Sequence, residues 1–189
     1  MAGPRLLVGP LDLAHGGTLT QTLPARALTR RRAILYGTLA VGTFDILDAF
    51  VFFGTVRDVP PIRILQSVAS GVLGRAAYEG GWGAAALGLT LHFTIAFGIV
   101  TTFFLVSRRW RILAQHPFVF GPLYGLVVYA VMNLVVVPLS AAVVGHKTWP
   151  VIANGLMIHM LGVGLPSAVF VKAAGFPAPV QGELSSEPG

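Results

Sequence analysis

Four apolar segments, roughly 33–56, 83–106, 117–145 and 150–172, dominate the chain and leave few folds open to it. Each is long enough to cross a hydrocarbon layer, which takes about 20 residues of helix. Lipid offers the backbone no hydrogen-bond partner, so a lone crossing segment must satisfy its N–H and C=O groups internally, as an α-helix does. Charged residues make up 11% of the 189, against about 25% in an ordinary soluble domain. The expected fold is an all-α integral membrane protein with four transmembrane helices in an up-down-up-down bundle. Pro138 predicts a kink in the long third segment, which is otherwise tilted or extended past the interface.

The placement of charge sets the expected orientation. Nine of the 13 Lys and Arg residues fall on the side that would hold both termini; Arg57, Arg63, Arg75 and Lys147 fall on the other. Basic residues concentrate in cytoplasmic loops, so both termini are expected in the cytoplasm, with the chain in a bacterial inner membrane. Trp82, Trp110 and Trp149 sit at expected interfaces, where amphipathic rings settle. A formal charge of +6 could also mark a nucleic-acid binder. The basic residues, however, cluster at segment ends rather than along one polar face, so the expected partner is the lipid bilayer and not a nucleic acid. With no cysteine there is no disulfide framework and no thiolate metal site.

"TRRRAIL" at 29–35 looks like a twin-arginine export signal. A secretory apolar core runs only about 7–15 residues before its cleavage site. Here the run is longer, contains two Asp and is followed by three more segments. It reads as the first membrane helix. Residues 1–32 then form a cytoplasmic arm, 33–172 the four-helix transmembrane domain, and 173–189 a disordered cytoplasmic tail. The loop 57–82 opens on Pro60-Pro61, which suits a helix start. Ile62, Leu65, Val68 and Val72 recur at helical spacing, predicting an amphipathic helix over 61–77 that lies on the outer ends of the bundle.

"GTFDILDAFVFF", residues 42–53, places two carboxylic acids inside the first segment. An Asp at a helix centre costs roughly 2.5–3.5 kcal/mol on insertion scales. Such residues turn away from lipid, toward partners, and here partners exist at matching depth. At about 1.5 Å per residue, His92 and His159 each lie about 13 Å deep, Asp48 and Asp45 about 12 and 16 Å, and Asn133 about 18 Å. Small residues, among them Gly42, Gly88, Gly125 and Gly155, let membrane helices approach closely. Asp45, Asp48, His92, Asn133 and His159 are therefore expected to form one contiguous buried cluster.

An internal repeat is also suggested. "GLTLH" at 88–92 matches "GLMIH" at 155–159, and "YG" at 36–37 matches 124–125, which aligns Asp45 with Asn133. The chain then reads as two helical hairpins related by an axis along the membrane normal.

Gly42-x-x-Asp45, "PPIRILQSVASG" at 60–71, Leu91-His92-Phe93, Met132-Asn133, Pro138-Leu139-Ser140 and "NGLMIHMLGVGLP" at 154–166 resemble a family of small bacterial four-helix inner-membrane proteins of unknown function. The resemblance covers residues 33–172. It implies the fold and location and supplies no activity.

Several readings of the cluster stand side by side. One is a hydrogen-bonded network that sets helix register in a structural or assembly subunit of a larger membrane complex. Another is a proton, cation or small-solute site, with Asp45, Asp48, His92 and His159 able to hold a divalent metal by N/O ligands or to relay protons. Four helices enclose no wide channel, so a transport role implies a homo-oligomer or a larger complex. A third is bis-histidine haem ligation by His92 and His159, although no cofactor is required by the sequence. Met157 and Met160 turn away from His159 and read as packing. No Ser-x-x-Lys, His-Glu-x-x-His or phosphate-loop motif points to an enzyme.

Overall fold

The computed structural model describes residues 28–175. Most of the expected arm and tail lies outside the described residues. Among those described there is no strand. Four helices are long and apolar enough to cross a membrane: α1 (Arg30–Arg57), α3 (Gly81–Arg109), α5 (Pro117–Leu139) and α6 (Trp149–Ala173). Between α1 and α3 lies α2 (Pro61–Leu73), continued by a 3₁₀ turn over Gly74–Tyr78, and a single turn, α4 (Ile112–Gln115), precedes α5.

Local chemistry accounts for the helix ends. The Thr29 hydroxyl accepts a hydrogen bond from the Arg32 N–H at 3.4 Å, capping α1. Asp58 ends α1 in the left-handed region at φ 54°, and the Val59 N–H then bonds back to the Phe53 carbonyl. Pro61 stands in the first turn of α2, where its missing N–H is no loss.

The third segment stops at Leu139, earlier than the expected 145. Residues 140–148 are not helical because α2 captures them. The Ala141 N–H donates to the Gly71 carbonyl at 3.0 Å, and the Val143 N–H to the Ser70 hydroxyl at 3.2 Å.

α1 packs against α3 and α6, and α5 packs against α6. Glycine makes the closest of these contacts. A Cβ on Gly125 would run into the His159 carbonyl, and would stand 2.7 Å from the Met160 Cα. A Cβ on Gly164 would stand 2.7 Å from the Gly125 Cα. Backbone therefore meets backbone at this crossing, as membrane bundles favour.

α2 and its 3₁₀ continuation fall where the helix over 61–77 is expected, but the face that α2 packs with differs. It lies beside the first turns of α3, where a Cβ on Gly88 would meet the Leu65 carbonyl. Its buried residues are Ile64, Gln66, Ala69 and Ser70, while Val72 is 63% exposed. The expected apolar face of Ile62, Leu65, Val68 and Val72 is thus only partly the one covered. Small residues win the contact because they permit close approach, and the polar ones are satisfied there. Gln66 donates to the Gly81 carbonyl at 3.1 Å, and Ser70 donates to the Ser67 carbonyl at 2.6 Å.

The interior is uneven. At the end remote from α2, Phe103, Phe104, Ala114, Ala168 and Val171 pack tightly. Next to them Val41, Ala96, Val100, Val128 and Val163 form the middle layer. The Tyr124 hydroxyl donates to the Ile99 carbonyl at 2.7 Å, tying α5 to α3 there. Toward α2 the helices part and enclose cavities. Outside, Leu, Val and Phe side chains of all four long helices are exposed. So much apolar surface on one chain marks a membrane-facing exterior.

Candidate functional site

A cavity of ≈ 230 Å³ opens below α2, and four of the five expected residues line it: Asp45, His92, Asn133 and His159. They come from α1, α3, α5 and α6, so every long helix contributes one. None of them is buried, however; all are partly exposed, and the expected buried cluster is corrected to a polar wall around an open cavity. A cavity remains between the helices at this end, and the acid keeps access to it instead of being sealed by packing.

Asp48 is not part of that wall. It accepts a hydrogen bond from the Asn154 amide of α6 at 2.7 Å. Residues three apart on a helix stop about 60° short of a full turn. That offset divides the two acids of α1 between its neighbours, with Asp45 toward α3 and Asp48 toward α6.

Gly42 sets the position of His92. A Cβ there would run into the Phe93 ring, so glycine lets α3 come near enough for His92 Nε2 to reach the Gly42 carbonyl at 2.8 Å. A carbonyl only accepts, so Nε2 must carry a hydrogen. This leaves His92 Nδ1 facing Asp45 Oδ2, at 3.9 Å. At that separation the two side chains face each other without a direct hydrogen bond.

The opposite wall is built differently. His159 Nδ1 bonds to the Gly155 carbonyl at 2.8 Å, four residues back on its own helix. That fixes its Nδ1 as donor and leaves Nε2 as the ring atom available to a guest. The Tyr129 ring meets the His159 ring edge-on, with centroids 5.3 Å apart. Asn133 donates to the Tyr129 carbonyl at 2.8 Å and accepts from Lys147. Among the described residues, no three of His, Cys, Asp and Glu are grouped as a metal ion would need. His92 Nε2 is engaged with backbone, and the space is smaller than the about 300–1,000 Å³ of drug-sized sites. Haem ligation draws no support from this geometry.

Three features were missed in the sequence. The first two are the partners Asn154 and Lys147. Asn154 stood within a quoted motif, and Lys147 was counted only as a loop charge. The third is a pair of π-helical turns, Met132–Val136 in α5 and His159–Gly164 in α6. The first contains Asn133 and the second begins at His159. A proline follows each. Pro138 and Pro166 have no N–H, and each ring would clash with the carbonyl four residues back. The residue before each proline instead bonds five back, Val137 to Met132 and Leu165 to Met160. The wider turn absorbs the clash, and such turns recur at functional sites. Pro166 was the available signal.

The chain matches no family model, no curated protein and no solved structure.

Proposed function

We propose that the chain is a bacterial inner-membrane protein whose helices run up-down-up-down with both termini in the cytoplasm, as the resemblance stated above implies, and that the cavity is a proton-linked site for a small polar solute. One observation carries the functional reading. Asp45 and His92 face each other at 3.9 Å on the wall of a cavity that also offers Asn133 and His159. Ionisable groups at membrane depth default to such roles. A free cation fits less well, because Lys147 already occupies the Asn133 oxygen. A homo-oligomer or a larger complex would supply the pathway that four helices are too few to enclose. In the repeat register Asp45 corresponds to Asn133 and His92 to His159.

The test is infrared difference spectroscopy of the purified protein between acidic and alkaline buffer. Asp45→Asn should remove a carboxyl signal while leaving thermal unfolding unchanged, and His92→Gln should move the pH at which that signal appears. If instead Asp45→Asn is silent and only Asp45→Leu destabilises, the couple is a packing device. A specific observation already favours that second role for Asp48, whose bond to Asn154 cross-links α1 to α6. Such bonds are worth about 0.6 kcal/mol on average in membranes, so Asn154→Ala should lower stability only slightly.

Orientation has its own check. A reporter that works only in the cytoplasm, fused after residue 189, should be active. Activity of an exclusively external reporter at that position would reverse the topology.

A further inference from the structure

The surface between α2 and residues 140–148 carries a second cavity, of ≈ 430 Å³, with an unusual lining. Arg57, Arg63 and Lys147 all border it, with His146 beside them. Among the described residues the ion pair within 4.0 Å is His92–Asp45, so none of these three cations has a carboxylate partner. Neutral groups hold them in place instead. Arg57 Nη2 donates to the His146 carbonyl at 3.3 Å and to the Thr148 hydroxyl at 3.2 Å. Arg63 Nη1 donates to the Tyr78 carbonyl at 3.1 Å, with its guanidinium over the Tyr78 ring. Each guanidinium is thereby positioned through one nitrogen and keeps other N–H donors. The acids nearest in sequence, Asp58 and Glu79, do not line the space.

A third cavity, of ≈ 350 Å³, adjoins it through Ser67, Val137 and Ala142. Its walls are almost wholly apolar, including Val68, Leu91, Ile95 and Met132, and Val72 and Val136 on its rim are exposed. The two spaces together present a cationic head next to an apolar slot, on a chain whose exterior is built for lipid.

The geometry points to a binding site for an anionic phospholipid, its phosphate held by Arg57, Arg63 and Lys147 and an acyl chain lying in the slot between α2, α3 and α5. Arginine forks suit phosphate oxygens, and basic pockets between membrane helices recognise lipid headgroups. The site includes neither Asp45 nor His92, although its slot shares Val68, Ile95 and Met132 with the polar cavity, and its success or failure does not depend on the proton reading. Lys147 reaches Asn133, so an occupied headgroup site would touch the wall of the polar cavity through one side chain.

The experiment measures thermal unfolding of the full chain in a neutral maltoside detergent, titrated with phosphatidylglycerol, with phosphatidylcholine of the same acyl chains, or with inorganic phosphate. Phosphatidylglycerol should protect at concentrations where the other two do not. The double variant Arg57→Gln/Arg63→Gln should weaken that protection at least about tenfold, the loss expected when charge-assisted hydrogen bonds are removed. Arg75→Gln, outside the cavity, should leave it unchanged. Equal protection by both lipids would overturn the proposal, and so would wild-type affinity in the double variant. Protection by inorganic phosphate equal to that of the lipid would overturn the lipid assignment. The wild-type comparison stands even if the double variant does not fold.

Discussion

Gly125→Ala is expected to destabilise the protein by about 1–3 kcal/mol, the usual cost of overpacking, and Gly125→Leu to prevent folding. The reason is the nature of the neighbours. A Cβ at residue 125 would press on the His159 carbonyl and the Met160 Cα, both backbone, and backbone cannot swing aside as a side-chain tip can. Relief requires α5 and α6 to separate, which also loosens Gly121 against Gly164. Gly98→Ala is the control. Gly98 lies inside α3 with nothing within 4 Å of an added Cβ, so the change should be neutral or should stabilise by about 0.5–1 kcal/mol through helix propensity. Unfolding monitored by tryptophan fluorescence in detergent checks both. Equal midpoints for Gly125→Ala and Gly98→Ala would mean that the α5–α6 crossing is looser than the structure has it.

Gly88→Leu should act locally and more selectively. The side chain would collide with the Leu65 carbonyl and so force α2 off α3, while the α5–α6 crossing stays intact. Released, α2 loses its cover on Ala69 and Ser70, and residues 140–148 lose the Gly71 carbonyl and Ser70 hydroxyl as acceptors. Val68 would also leave the wall of the polar cavity and open it. Hydrogen exchange should show protection of the α2 amides falling at least about tenfold, with α6 amides unchanged, because segments open in separate cooperative units. Uniform loss across the chain would show instead that α2 is integral to the whole bundle's stability.

The two substitutions divide the molecule into a frame and an insert, and that division explains what could be read in advance. The apolar runs marked the spans to within a few residues for α1, α3 and α6, because a long apolar stretch has one low-energy form in lipid. The end of α5 was misplaced since Ala141, Ala142, Val143 and Val144 look equally apolar whether they continue a helix or cover a neighbouring one. Which alternative holds depends on Gly71 and Ser70, some seventy residues away.

The candidate site divides along the same line. Depth is a one-dimensional property, proportional to residue number along a helix, so four polar residues of four segments could be assigned to one level from spacing alone. Exposure and pairing are three-dimensional. Whether Asp45 is sealed or open follows from how far the helices diverge at the α2 end, and the 60° offset that sends Asp48 to Asn154 matters only once α3 and α6 flank α1. The π turns depend on both: their prolines are visible in the sequence, but packing decides whether such a residue produces a kink or a wider turn. By itself, then, the sequence determined the helices, their apolar exteriors and the level of the polar residues, all consequences of hydrophobicity and helical rise. The tertiary structure alone decided that α2 would wedge beside α3, that Asp45 and His92 would face each other, and that a cavity would remain beside them, because these depend on how closely backbones can approach at Gly42, Gly88 and Gly125.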